Sequence, residues 1–228
     1  MRWGVLQFPG SCDERDALAA CERTGAEARL VWHEERDLND VDAVVVPGGF
    51  SYGDYLRAGA IARFSPAMEA VSEFAAAGGP VLGICNGFQV LCEAGLLPGA
   101  LLLNEDLRFH CRQLDLIEEP TAELSTPERA QLSSRVLSIP AKHGEGRYYA
   151  PDGVLDELEA RGRVAYRYAP GQNPNGSARD IAGVRSEAGN VVGLMPHPEH
   201  AVDPLTGSTD GLKVFESIAA IPSAPANA

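Results

Sequence analysis

The sequence predicts an α/β fold: a doubly wound, mainly parallel sheet with helices on both faces, antiparallel additions and a nucleophile-elbow turn. Three observations carry the prediction. Ala28 to Trp32 and Ala43 to Val46 are nearly uninterrupted apolar runs, the pattern of parallel strands covered on both faces. Helical segments alternate with these strands through about Gly95. Gly83-Ile84-Cys85-Asn86-Gly87 then joins a strand to a helix through a turn with room for only small residues beside the cysteine.

Taken in order, Trp3 to Phe8 is stopped by Pro9-Gly10, and Ser11 is placed to cap a helix reaching about Thr24, with Gly25 ending it. Ala28 to Trp32 and Ala43 to Val46 are the second and third strands. Pro66 to Ala77 is helical and closes at Gly78-Gly79-Pro80. In the middle of the chain, Phe109 to Glu118 and Arg135 to Ala141 read as strands with little helix between them, hence antiparallel additions. Asp152 to Arg161 is a helix and Val164 to Tyr168 a strand. Ile181 to Arg185 and Val191 to Met195 flank the turn Ala188-Gly189-Asn190, a hairpin signal. Asp210 to Ala220 is the last helix. Residues 1–220 read as one domain and 221–228, rich in Pro, Ala and Ser, as a frayed tail.

Composition narrows the function. The net charge of −13, from 32 acidic against 19 basic residues, disfavours nucleic-acid backbones and anionic membranes as partners. The five cysteines have irregular spacing and no Cys-x-x-Cys, so neither a disulfide framework nor a zinc ribbon is expected, and a reducing cytoplasm is the simplest compartment. Phe74 to Cys92 is uncharged, but its glycines, Pro80, Asn86 and Gln89 divide it into helix end, turn, strand and elbow rather than a membrane span.

The chemistry centres on Cys85. A strained turn exposes its sulfur, and the helix that follows aims free N–H groups and a positive dipole end at it, both favouring thiolate. A buried structural cysteine in a glycine-rich turn is the plain alternative. Pro47-Gly48-Gly49-Phe50 follows the third strand, and the N–H groups of Gly49 and Asn86 are candidate oxyanion donors; a simple Gly-Gly turn is the alternative. Pro196-His197-Pro198-Glu199-His200 follows another apolar strand. His197 supplies the base a thiol nucleophile needs and Glu199 its orienter. In an extended segment, which Pro198 favours for His197, these two residues point to the same side. A solvated polar loop and a metal set of His197, Glu199 and His200 are the competing readings. No phosphate-binding glycine motif occurs, so no ATP site is visible.

Gly83-Ile-Cys85-Asn-Gly87-Phe-Gln89 with Pro196-His197-Pro-Glu199 resembles the paired signatures of class I (triad) glutamine amidotransferases. Pro47-Gly-Gly-Phe-Ser-Tyr-Gly-Asp54-Tyr-Leu-Arg57, Phe109-His-Cys-Arg112, His143-Gly-Glu-Gly-Arg147-Tyr, Asn173-Pro-Asn-Gly-Ser177 and Gly207 to Lys213 narrow the resemblance to the glutaminase subunits of phosphoribosylformylglycinamidine synthase. One stretch departs: Cys12-Asp13-Glu14 precedes Arg15-Asp16 where that family usually has Asn-Cys-Asp.

The resemblance implies hydrolysis of glutamine to glutamate and ammonia by Cys85, His197 and Glu199, with Gln89 holding the α-amino or carboxylate end of the substrate. It implies no cofactor in this chain. ATP and Mg are expected on a separate large synthetase subunit, with a small third subunit beside it. The loops carrying Asp54 and Arg147 are the candidate contacts to that partner. A stand-alone cysteine hydrolase with the same elbow, a glutaminase for another synthetase and a silent scaffold remain as rivals.

Overall fold

A computed structural model describes residues 1–121 and 135–222. The parallel half of its main sheet comprises β1 (Arg2–Gln7), β2 (Glu27–Trp32), β3 (Ala43–Val46) and β4 (Val81–Ile84). Further along the chain come the short β5 (Ala100–Leu102), then β6 (His110–Glu118), β7 (Val136–His143), β8 (Arg147–Tyr149), β9 (Val164–Tyr168), β10 (Ile181–Arg185) and β11 (Val191–Leu194). Nine strands form the order β2-β1-β3-β4-β11-β10-β9-β6-β7, and β5 pairs separately with β8. Neighbours from β2 across to β11 run parallel; from β11 to β7 each neighbouring pair is antiparallel. This is the predicted parallel sheet with antiparallel additions.

The helices among the described residues are α1 (Glu14–Arg23), α2 (Pro66–Ala76), α3 (Asn86–Glu93), α4 (Asp152–Ala160) and α5 (Gly211–Ala219). Strand register assigns their faces. Gly4 pairs with Val44, Val44 with Val81, and Gly83 with Gly193, so these residues share one face. A Cβ on Gly83 would strike Leu91, and one on Gly193 would strike Phe88, both from α3. Two facing glycines thus let α3 lie close against β4 and β11. On the opposite face Trp3 meets Phe215 of α5 edge-on at 6.1 Å, and α1 packs beside α5. The helices cover both faces, and the buried apolar residues form one continuous core.

Several local expectations change. Ser11 does not cap α1: its Oγ accepts from the Phe8 N–H, and Asp13 takes the N-cap position. β2 is the edge of the sheet and only Val31 in it is buried, so its apolar run does not mean cover on both faces. The hairpin of β10 and β11 is present, and Asn190 in its turn donates to the carbonyls of Ala75 (2.8 Å) and Gly79 (2.9 Å), fixing the end of α2. The frayed-tail expectation for 223–228 lies outside the described residues. No helix among the described residues is long and apolar enough to cross a membrane.

Candidate active site

Strand ends converge at the carboxyl edge of the parallel half, where open α/β sheets bind ligands. The chain turns away from β1 towards β2 on one side and β3 on the other, and the loops after β1 and β3 meet there through a bridge between Ser11 and Gly49. A cavity of about 400 Å³ opens at this edge, lined among others by Cys85, Gln89, Gly49, Asp13, Lys142 and His197.

Cys85 occupies the turn between β4 and α3 with φ 49° and ψ −105°, a left-handed-side conformation that a non-glycine residue adopts only when its surroundings enforce it. The enforcement is visible. Its N–H donates to the Leu194 carbonyl at 2.9 Å, a Cβ on Gly83 would stand 2.9 Å from the Gly87 carbonyl oxygen, and one on Gly87 would strike the Val46 carbonyl. The sulfur thus sits at the N-terminus of α3, in reach of its unpaired N–H groups. Asn86 is the first residue of that helix, and Gly49 lies in the cavity wall with φ 138°, where any side chain would crowd the Cys12 nitrogen at 2.6 Å.

His197 follows β11 and is 1% exposed; its N–H is anchored to the Pro140 carbonyl of β7 at 2.8 Å. Nδ1 stands 2.6 Å from Glu199 Oε1, with both side chains buried. The pairing expected from the sequence is present, but its geometry is not the expected one: Pro198–His200 is a 3-10 turn, so the carboxylate meets the ring by curling back rather than along an extended segment. With Nδ1 engaged, Nε2 is the nitrogen left to the cavity that His197 shares with Cys85. Burial would push the His197 pKa down, but the charges of Glu199 and Cys85 and hydrogen bonds to both raise it to about 10. His143, also in the cavity wall, goes the other way: burial and the neighbouring His197 lower it to about 3, so it stays neutral.

Gln89 lines the cavity with its amide already committed. Nε2 donates to the Glu145 carbonyl (2.6 Å), and Oε1 accepts from Asn86 Nδ2 (2.9 Å). Asn86 Nδ2 also donates to Asp54 Oδ1 (3.2 Å), and Asn86 Oδ1 accepts from the Ser51 N–H (3.1 Å). The two loops singled out as partner contacts are therefore both tied to the first turn of α3. Asp54 is half-buried in the cavity wall, and burial with the like charge of Glu145 pushes its pKa up to about 6 against the Asn86 hydrogen bond. Arg147 opens β8 opposite Leu102, outside the cavity lining, with its Nε buried. Asn175 holds the second loop, donating to His143 Nε2 (2.9 Å) and the Gly146 carbonyl (2.8 Å).

The sequence reading did not include Asp13 and Lys142 in the site. Lys142 Nζ meets Asp13 Oδ1 at 2.5 Å, and Asp13 Oδ2 lies 3.7 Å from His197 Nδ1. Donor atoms of Asp13, His197, Glu199 and His200 fall within 4.8 Å of one another, which extends the metal set considered from sequence. The Lys142 ammonium on Asp13 and the imidazole proton on Glu199 already answer those carboxylates. The departure at Cys12-Asp13-Glu14 was the available signal, but nothing local linked it to β7.

A family model described as a CobB/CobQ-like glutamine amidotransferase domain matches residues 1–215. A Streptomyces avermitilis protein named phosphoribosylformylglycinamidine synthase subunit PurQ is 59% identical, covering 95% of this chain and 96% of its own length. A Nocardia farcinica protein of the same name is 60% identical with the same coverage. Among solved structures, a chain of "Structure of PurLQS from Thermotoga maritima" superposes with a TM-score of 0.83 at 43% identity, covering 96% of this chain and 97% of that one. The chain belongs to this glutamine amidotransferase family, in the company of the phosphoribosylformylglycinamidine synthase subunits named PurQ.

Proposed function

We propose that this chain is the glutaminase subunit of a phosphoribosylformylglycinamidine synthase. It hydrolyses glutamine to glutamate and ammonia, and delivers the ammonia to a separate synthetase subunit for the ATP-dependent conversion of formylglycinamide ribonucleotide to the amidine in purine biosynthesis. The observation that carries the reading is the buried 2.6 Å His197–Glu199 pair, whose imidazole lines one cavity with a cysteine held at positive φ. The Cys85 thiolate attacks the carboxamide carbon, and the Gly49 and Asn86 N–H groups receive the oxyanion. The His197 imidazolium protonates the departing ammonia, leaving a thioester; neutral His197 then takes a proton from water, whose attack releases glutamate. Glu199 holds the ring with Nδ1–H towards itself and stabilises the cation.

ATP and Mg belong to the synthetase in this scheme, and this chain brings no cofactor. The name PurLQS of the Thermotoga structure and the word subunit in the names of the PurQ relatives support the reading of a multisubunit complex, in which we place a large synthetase and a small third subunit. Asp54 and Arg147 lie on the loops that Gln89 and Asn86 tie to α3, so docking on either loop has a mechanical route to the nucleophile. Gln89 keeps its assignment to the amino-acid end of glutamine, exercised through the Glu145 loop that it orients. Glutamate release from glutamine, with and without the synthetase subunit, tests the reading; no release from the complex would reject it.

A further inference from the structure

The loop after β1 lies outside the triad and the oxyanion donors. Asp13 stands there with its side chain 5% exposed. Oδ1 receives Lys142 Nζ at 2.5 Å and His200 Nε2 at 3.3 Å, while Oδ2 faces His197 Nδ1 at 3.7 Å, the nitrogen that Glu199 also engages. Lys142 reaches Asp13 from the end of β7, 129 positions away in sequence, and lines the same cavity as Cys85. The Cys85 Sγ also approaches the Lys142 carbonyl at 3.8 Å.

Charge balance explains the arrangement. Cys85 as thiolate, Glu199 and Asp13 are three anions in one buried cluster, and a His197 cation answers only one of them. A buried carboxylate without a cation is strongly destabilising. Hydrogen bonds from His200 and Lys142 and the charges of His197 and Lys142 overcome burial and hold Asp13 well below the usual carboxylate range. Burial likewise opposes the Lys142 charge, but Asp13, then Glu199 and Cys85, keep it protonated.

We propose that Asp13 and Lys142 are an ion pair of positioning residues for the amide-hydrolysing couple: Asp13 gives the His197 cation a second carboxylate, and Lys142 adds a cation to the wall of the cavity that holds the Cys85 sulfur. This rests on the triad reading above. The groups facing His197 are Cys85 from the elbow, Glu199 and His200 from its own turn, Asp13 from the β1 loop and His143 from β7, with Lys142 on Asp13 in the wall of the same cavity. The two members act on different titrations, so their removal has different signatures. Losing Lys142 disfavours the thiolate; losing Asp13 disfavours the imidazolium.

The test has two readouts. Iodoacetamide alkylation of Cys85 is followed against pH by peptide mass spectrometry, which separates it from the exposed Cys12 and Cys111. Glutamine turnover by the reconstituted complex is followed against pH in parallel. Lys142→Met moves the midpoint of Cys85 alkylation up by about one pH unit, and Asp13→Asn moves the alkaline limb of turnover down by about one unit. The double variant Asp13→Asn, Lys142→Met leaves neither charge unpaired, and shows both shifts if a single variant fails to fold. If the pair only staples the β1 loop to β7, all variants keep wild-type pH profiles and differ only in melting temperature; that result overturns the proposal. Wild-type protein that alkylates at Cys85 yet hydrolyses no glutamine in the complex would sink the functional reading, while the alkylation profiles still judge the pair.

Discussion

The backbone N–H of Cys85 donates to the carbonyl of Leu194 at 2.9 Å, so main chain ties the Cys85 turn to the end of the strand that leads into His197. β4 and β11 pair in parallel from Val81–Val191 to Ile84–Leu194, and this bond continues that ladder one step into the elbow. The relative placement of sulfur and imidazole therefore does not depend on either side chain, and substitutions of the two test chemistry more than architecture.

Cys85→Ala is expected to abolish glutamine-dependent synthesis in the complex while added ammonium still supports it. The sulfur is 7% exposed as part of its residue and carries no packing load beyond a small side chain. Activity with both nitrogen sources, measured side by side, checks this; retained use of glutamine removes Cys85 as nucleophile. Ser replacements of Cys12 and Cys111, both exposed, leave glutamine turnover intact.

Glu199→Gln lowers turnover by a factor on the order of hundreds or more, because the neutral amide no longer fixes the ring tautomer or balances its charge. The pH profile moves as well. His197 is raised from 6.5 to about 10. Its cation's contribution to stability is therefore fully present below 6.5 and is lost as pH rises through about 10. Removing the Glu199 charge lowers that upper boundary, so the variant loses both imidazolium and activity at lower pH than wild type. Turnover and melting temperature between pH 6 and the alkaline limit measure it. A chelator is expected to leave glutamine hydrolysis by the chain itself unchanged.

Asp54→Asn is expected to stabilise the chain at alkaline pH. The carboxyl is raised from 3.8 to about 6, first by burial and then by Glu145, so the stability linked to its protonated form is full below 3.8 and lost as pH rises through about 6. Asn removes the charge and still accepts from Asn86. The gain above pH 7 is no more than about 1 kcal/mol once solvent screening of a half-exposed group is allowed for. Melting curves at pH 4 and pH 8 decide it: an equal shift at both would mean that the charge is not responsible.

The isolated chain is expected to hydrolyse glutamine far more slowly than the complex. One well-aimed oxyanion donor is worth roughly 2.7–4 kcal/mol, or about 10²–10³ in rate, so a small change in the Gly49 loop on docking is sufficient. Equal steady-state rates for free chain and complex at saturating glutamine would eliminate the switch. Loss of partner activation with unchanged basal hydrolysis in Arg147→Ala would mark that residue as part of the docking route.

What the sequence made legible was whatever sits within a few residues of a strand end. Apolar runs found β3 and β4, turn residues found the β10–β11 hairpin, and the glycines around Cys85 marked the elbow. His197 and Glu199 were paired correctly for an incomplete reason, since Pro198 starts a 3-10 turn where extended chain was expected. β2 was misjudged because an apolar run does not reveal which strand lies at the edge. Asp13 and Lys142 escaped as a pair: they reside 129 positions apart, and only the folded placement of β7 brings the ammonium onto the carboxylate. The short β5–β8 pair carried no periodic signal long enough to read.

The strand order also sets when a reactive thiol first exists. β4 is complete early in the chain, but its neighbour β11 and the His197 turn come from near the other end, after every strand of the antiparallel half. Until β11 has been made, β4 has an open edge with bonding groups free, and neither the Leu194 anchor of the Cys85 turn nor His197 is in place. The insertion of β11 closes that edge and delivers the histidine in one event. A ribosome-bound chain therefore carries a dormant cysteine, and the same ladder that completes the sheet arms it.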